Sequence, residues 1–165
     1  MRDKALVLPK NTQIDWENFE KALWKNFGVN AVAYTSDGHR RTRGDINLVN
    51  GICYRIKKNP AGARRICDDV LGYMNHEVRV KKRYIAEECD AGMYKIVVPV
   101  IQDDELEGFV STCGRPYINS DRIYIDYIHE TIDVDKAEIE QLLASLEPIR
   151  PRTVKAMITF ITSYA

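Results

Sequence analysis

Near the N-terminus, apolar residues recur at spacings of three and four, which places most of them on one face of a helix. This helix is predicted to follow Asn11-Thr12 and to end at Gly28, a residue type that favours helix C-caps. Its apolar positions are Ile14, Trp16, Phe19, Leu23, Trp24 and Phe27. The next segment, 29–35, is apolar and β-branched enough for a strand, and Asp37-Gly38 predicts a hairpin turn after it. Residues 39–51 are polar and predict a loop.

The most hydrophobic part of the chain lies in its middle, where two strand-like runs are joined by an acidic turn. Met93–Ile101 is rich in Val and Ile, and its one charge, Lys95, is expected to point outwards from a largely buried strand. The polar stretch that follows predicts a reversal, and Gly108–Thr112 predicts the returning strand. Antiparallel pairing of these strands would bring together Cys89, just before the first, and Cys113, just after the second.

Helical periodicity returns on both sides of this hairpin. Pro60 suits the first turn of a helix, and a short strand over 84–88 is expected between that helix and the hairpin. The C-terminal part predicts helices over 135–146 and 152–165. Residues 122–130 fit either a strand or a helix, and fit the helical period slightly better. A helix, a short antiparallel sheet with a helical excursion, and closing helices together predict an α+β fold.

Length and charge restrict the class of protein. The chain has 165 residues, which suffices for one domain with its own hydrophobic core. Its 24 basic and 24 acidic residues balance, which argues against a dedicated nucleic-acid surface. No apolar run approaches the roughly 20 residues of a membrane-spanning helix, and the N-terminus lacks the apolar core of a signal peptide. We therefore expect a cytoplasmic protein without a direct nucleic-acid or membrane partner.

The four cysteines carry the most specific chemistry. In the cytoplasm, free, metal-bound or redox-active thiols are more common than structural disulfides. Four thiolates could complete a zinc site or hold an iron–sulfur cluster, although no C-x-x-C pair is present. The alternative is that the cysteines are small buried apolar residues. The candidate metal ligands are Cys53, Cys67, Cys89 and Cys113.

Aromatic residues offer a second kind of binding site. Tyr34, Tyr54 and Tyr94 could line a pocket for an organic ligand, or could pack in the core with their hydroxyl groups at its edge. Asp90 could accept hydrogen bonds in such a pocket, or could cap a turn. The sequence has no nucleophile elbow, P-loop or dinucleotide fingerprint, and no histidine lies near a cysteine in a recognisable pattern. We therefore do not expect an enzyme.

Several short motifs, taken in order, resemble the sensory domain family named after the regulator PocR. The resemblance covers about residues 12–165, and its pieces are Cys53, Asn59-Pro60-Ala61-Gly62, Cys67, Cys89-Asp90-Ala91-Gly92, Val98-Pro99-Val100, Gly108 and Gly114. Two departures are visible. Cys89-Asp90 stands where the family usually has Cys-His, and Thr112-Cys113-Gly114 stands where it often has a Gly-Gly-Gln-like turn.

The resemblance implies one sensory domain over residues 1–165, with a PAS-like antiparallel sheet flanked by helices. Such a domain binds a ligand and controls a partner output module, and Gly114 joins the candidate pocket residues. We expect a zinc ion or iron–sulfur cluster on the four cysteines, or a small organic ligand without a metal. A structural dimerisation module is the alternative. Apolar faces on both terminal helices predict a homodimer.

Overall fold

The computed structural model describes residues 4–43, 50–118, 120 and 124–165. Its strands are β1 (Leu6–Leu8), β2 (Asn30–Thr35), β3 (Ile85–Glu88), β4 (Tyr94–Gln102) and β5 (Glu105–Cys113). Its helices are α1 (Trp16–Phe27), α2 (Gly51–Lys58), α3 (Pro60–Gly62), α4 (Asp69–Lys81), α5 (Ile125–Ile132), α6 (Lys136–Ala144) and α7 (Pro151–Thr162). A π-helical segment, Ala63–Asp68, joins α3 to α4. Parts of the predicted segments 39–51 and 122–130 lie outside the described residues.

The five strands form one mixed sheet in the order β1–β4–β5–β2, and β3 also pairs with β4. The central hairpin is confirmed: β4 and β5 are antiparallel, and the chain reverses at Asp103 and Asp104, whose φ angles are 52° and 62°. The pairing of β1 with β4 is parallel and was not predicted. The α+β class is confirmed, and the flanked sheet is consistent with a PAS-like domain.

Helices cover both faces of the sheet. Alternate residues of the central strands supply each face, because side chains alternate along a strand. The first face is packed against α1 and α7 in one core, which includes Phe19, Leu23, Ile96, Val98, Val110, Met157 and Ile161. The apolar stripes of both terminal helices therefore pack within the same chain.

The second face lies under the segment between β2 and β3. Met74 and Val78 of α4 pack there on Val97 and Phe109. A neighbouring cluster joins α2, α5 and α6 through Ile52, Ile56, Ile128, Ile132 and Ile139. Among the described residues, no helix has the length and apolar character needed to span a membrane.

Candidate functional site

Lys95 is buried in the sheet. It lies two residues before Val97, and therefore on the second face of β4. Only 6% of its surface is exposed, so the prediction of an outward-pointing lysine is wrong. The physical reason is that helices cover both faces of β4, which leaves no solvated side for its charge.

Backbone pairing places Lys95 in one row with two other polar residues. Asn30 of β2 pairs with Cys113 of β5, and the amide Nδ2 of Asn30 lies 3.9 Å from the Cys113 Sγ atom. Lys95 comes one residue before Ile96, whose partner on β5 is Thr112. The next bridge joins Met93 to Pro116, so the pairing shifts by one residue between these points and Lys95 lies across from Cys113 and Gly114. A polar row thus crosses a sheet face that is otherwise covered by apolar residues.

The other three cysteines reach the same region from the surrounding elements. Cys53 belongs to α2, Cys67 to the π-helical segment, and Cys89 stands at the turn into β4, where the Gly92 N–H donates to its carbonyl over 2.9 Å. Burial raises the pKa of all three thiols, and a negative charge at Cys113 raises each pKa further. The four sulfur atoms therefore lie within electrostatic range of one another.

The charge of the site at neutral pH follows from these shifts. Burial raises the pKa of the Cys89 thiol to about 11 and also raises the pKa of the Tyr34 hydroxyl, so both groups are uncharged. Burial acts to lower the pKa of the Lys95 ammonium, but negative charges at Cys113, Cys89 and Tyr34 outweigh it, and the net shift is upwards. Those charges on Cys89 and Tyr34 form only at alkaline pH. At neutral pH Lys95 is therefore an ammonium ion beside an uncharged thiol and phenol.

The Lys95 ammonium has no carboxylate partner in the described part of the chain. None of the ion pairs there includes it. Glu87 of β3 pairs with Lys95 along the backbone, but its side chain is exposed. A second ammonium, Lys57 of α2, acts against burial to lower the pKa of both Tyr34 and Cys67. Two ammonium groups, Lys57 and Lys95, therefore act on the same phenol and thiol.

The cysteines are close without forming an obvious metal site. All four are free thiols. Within the described ranges, no three Cys, His, Asp or Glu side chains are placed to hold a metal ion. A metal ion or iron–sulfur cluster on Cys53, Cys67, Cys89 and Cys113 therefore stays a prediction.

Two of the other predicted site residues are buried, Tyr34 on the same face of the sheet as Cys113 and Gly114 directly after Cys113 in the chain. Tyr34 is 8% exposed and shares a face of β2 with Asn30. Gly114 is buried, its φ is 107°, and its carbonyl accepts a hydrogen bond of 2.7 Å from the Asn50 side chain. Asn50 also caps α2 by accepting from the Cys53 N–H. This pair of hydrogen bonds connects the end of β5 to the helix that carries Cys53.

The remaining three predicted pocket residues are less closely associated with Lys95 and the cysteines. Tyr54 is exposed on α2, and the Lys58 Nζ atom lies 4.5 Å from the centre of its ring. Tyr94 faces the first side of the sheet, where its ring packs 4.8 Å from that of Tyr117. Asp90 is half-buried in the turn after Cys89. The structure thus places Tyr54 and Tyr94 away from the lysine and the cysteines.

Lys95, Lys57 and Asn30 were missed as site residues by sequence analysis. The signal for Lys95 was present, because it is the only charge within a run of Val and Ile. Lys57 and Asn30 gave no such signal, since each stands at the end of an ordinary helix or strand pattern. Their place beside the cysteines depends on how the strands and helices pack.

Comparison with known proteins agrees with the motif pattern. A sequence model of the family described as "Sensory domain found in PocR" matches residues 13–165. No curated protein and no solved structure matches the chain. The family match confirms the resemblance and covers nearly the whole sequence. The chain therefore belongs to the family of sensory domains found in PocR.

Proposed function

We propose that this chain is the signal-sensing part of a cytoplasmic signalling protein, and that it binds its signal beside Lys95 and the four cysteines. Membership of a sensory-domain family supports the sensing role. The observation that carries the site is the buried Lys95 ammonium, which has no ion pair among the described residues. Charged groups are buried at a high cost in free energy unless something compensates them, so such a residue is a candidate for binding.

A small ligand is the first candidate for the signal. Lys57 and Lys95 make the region positive while the Cys89 thiol keeps its proton, which opposes the entry of a metal cation. A ligand that contacts the ammonium and the thiols needs no loss of protons from the protein. The two ammonium groups therefore favour a ligand that is not a metal.

A metal ion or iron–sulfur cluster is the second candidate. The support for it is that four free thiols occupy one region, and thiolates are preferred ligands of zinc and iron–sulfur clusters. Binding would require the thiols to release their protons, and the Lys95 ammonium would then offset part of the thiolate charge. The two candidates therefore differ in a measurable way, since only the second releases protons and consumes free thiols.

A response to the ligand would reach the output partner through the terminal helices. Arg115, two residues after Cys113, donates hydrogen bonds to the carbonyl oxygens of Phe27 and Pro148, both over 2.8 Å, and of Glu147 over 3.1 Å. Phe27 ends α1, and Pro148 lies shortly before α7. The Arg115 side chain thus ties the end of β5 to both helices that a partner module or a second copy would contact.

Purification without oxygen, followed by an absorption spectrum, metal analysis and thiol titration, separates the candidates. A metal centre predicts a bound species that Cys67→Ser and Cys113→Ser both abolish, because each thiolate belongs to one site. Metal-free protein with four titrating thiols favours the small ligand. A screen of small molecules by thermal shift then tests the site itself. A ligand that stabilises the wild type, Lys95→Met and Cys113→Ser equally would refute the proposed site.

A further inference from the structure

We infer that the ligand of this site is a small oxyanion, either a carboxylate or an inorganic oxyanion, held by the ammonium groups of Lys95 and Lys57. The inference rests on the proposed function and adds the charge class of the ligand. It begins with the burial of Lys95, which is 6% exposed and has no ion pair among the described residues. An anion placed there would supply the missing negative charge.

No carboxylate group of the described residues lies buried beside Lys95 to supply that charge. Its electrostatic neighbours are thiols and a phenol, namely Cys113, Cys89, Cys67 and Tyr34. The nearest carboxylate along the strand pairing, Glu87, is exposed. No buried carboxylate group of the described residues therefore compensates the Lys95 ammonium.

A second cation approaches the same side chains from a different element. Lys57 lies one turn after the buried Cys53 on the same face of α2 and is itself half-buried. Lys57 and Lys95 both act on the thiol of Cys67 and the hydroxyl of Tyr34. Asp68, beside Cys67, also acts on that thiol, but it is exposed. Two ammonium groups thus face one region that contains no buried carboxylate among the described residues.

The other polar groups of the region suit an oxyanion. Lysine ammonium groups donate without accepting, and the Tyr34 hydroxyl and the protonated thiols can each donate one hydrogen bond. An oxyanion has several lone pairs and can accept from more than one of these donors. Less than a tenth of Lys95, Cys53 and Cys89 is exposed, so a ligand that touches them has few non-hydrogen atoms.

The test uses the full chain, freed of metal, in thermal-shift and calorimetric titrations at constant ionic strength. The probes are formate, acetate, nitrate and phosphate, with formamide and acetamide as neutral partners of the two carboxylates. We expect at least one oxyanion to raise the melting temperature in a saturable way, while its neutral partner has no effect. Comparing formate and acetate with nitrate and phosphate shows whether the site binds carboxylates or inorganic oxyanions.

Variants then assign the binding to the proposed residues. Lys95→Met should weaken the bound oxyanion at least tenfold, and Lys57→Met should weaken it less, because Lys57 is only half-buried. Lys95→Gln is a second variant that keeps a polar side chain, and circular dichroism checks that each variant folds. Lys21→Met is the matched control, since Lys21 is exposed on α1 far from the second face of the sheet, and it should bind as the wild type does.

The outcomes separate this inference from the proposed function. If acetamide or formamide binds as well as the anion and loses affinity in Cys113→Ser, the sensory site stands and the oxyanion is wrong. If an oxyanion binds equally to the wild type and to both Lys95 variants, the inference is wrong because the ammonium takes no part. If no oxyanion binds and a metal is found on the cysteines, both the oxyanion and the small-ligand form of the proposed function are overturned.

Discussion

Replacing Lys95 by methionine should stabilise the ligand-free protein. The ammonium is 6% exposed, and no ion pair of the described residues compensates it. Burying an ion costs several kcal/mol even after relaxation, and exchanging buried charges for apolar groups of similar volume is often stabilising by about 1–4 kcal/mol. Methionine matches the unbranched shape of lysine and adapts to irregular packing. We expect the free energy of unfolding to rise by about 1–3 kcal/mol.

Urea unfolding followed by circular dichroism at pH 7 measures this change. The dependence of the free energy on urea should stay the same, because the surface exposed on unfolding hardly changes. A gain of 1 kcal/mol should raise the melting temperature by about 2–4 °C in a chain of this size. Lys21→Met, at an exposed position, should change the free energy by less than about 0.5 kcal/mol. A loss above about 1 kcal/mol in Lys95→Met would refute the reasoning, since it would mean that the ammonium already has a strong native partner.

A bound oxyanion should stabilise the wild type more than Lys95→Met and so reduce the difference between the two proteins. A ligand at 100 times its Kd stabilises the folded state by about 2.7 kcal/mol, and only the wild type would gain this fully. If Lys95→Met binds tenfold more weakly it gains about 1.4 kcal/mol at the same concentration, so the ligand shifts the difference towards the wild type by about 1.3 kcal/mol. The native lysine would thus lower the stability of the empty site and raise that of the occupied one, as is common for functional residues.

Three other perturbations test the surroundings of the site. Between pH 9 and 11 the free energy of unfolding should fall as pH rises, because burial raises the pKa of Cys89 from 9.0 to about 11 and the unfolded chain loses that proton first. In a pH series of urea titrations, the free energy of unfolding of Cys89→Ala should fall less steeply with pH than that of the wild type, by about 1.4 kcal/mol per pH unit. Equal slopes for the two proteins would contradict the assignment of this raised pKa to Cys89. Gly62→Ala should destabilise by about 1–3 kcal/mol, because its Cβ would lie 2.5 Å from the carbonyl oxygen of Ile56. Gly72→Ala, in α4 with nothing within 4 Å, is the control and should stabilise by about 0.5–1 kcal/mol in the same thermal melts. If the protein is a homodimer through its terminal helices, light scattering at micromolar concentration should give twice the chain mass. Trp24→Ser, on the exposed side of α1, should then weaken the dimer. A monomer mass for the wild type would count against the dimer.

The elements with strong local signals were predictable from the sequence. The periodic apolar residues located α1 and its end at Gly28, whose φ of 63° suits a C-cap glycine. The start of α1 was placed too early, because the capping side chain is Asp15, which accepts from the Asn18 N–H. Strand β1 was missed, since a three-residue run gives little local signal and forms only by parallel pairing with β4.

The candidate site was only partly predictable. The motif pattern identified the four cysteines as candidate site residues, because their order along the chain can be read directly from the sequence. Their surroundings depend on contacts between distant segments, such as the pairing of Asn30 with Cys113. No local pattern indicates that Lys57 and Lys95, on a helix and a strand, act on the same side chains. The positive charge of the site therefore emerged only from the packing.

The burial of Lys95 could nevertheless have been inferred from the sequence by considering all the helices together. The two terminal helices have wide apolar stripes, and packing both on one small sheet fills its first face. The helix after Pro60 has a third apolar stripe, which must also be buried, and the second face of the same sheet is the surface on which it packs. A strand covered on both faces has no position from which a charge can reach solvent. A single lysine in such a strand is then buried, and since burial of an unpaired charge is costly, the amino-acid pattern alone makes it a candidate for a binding site.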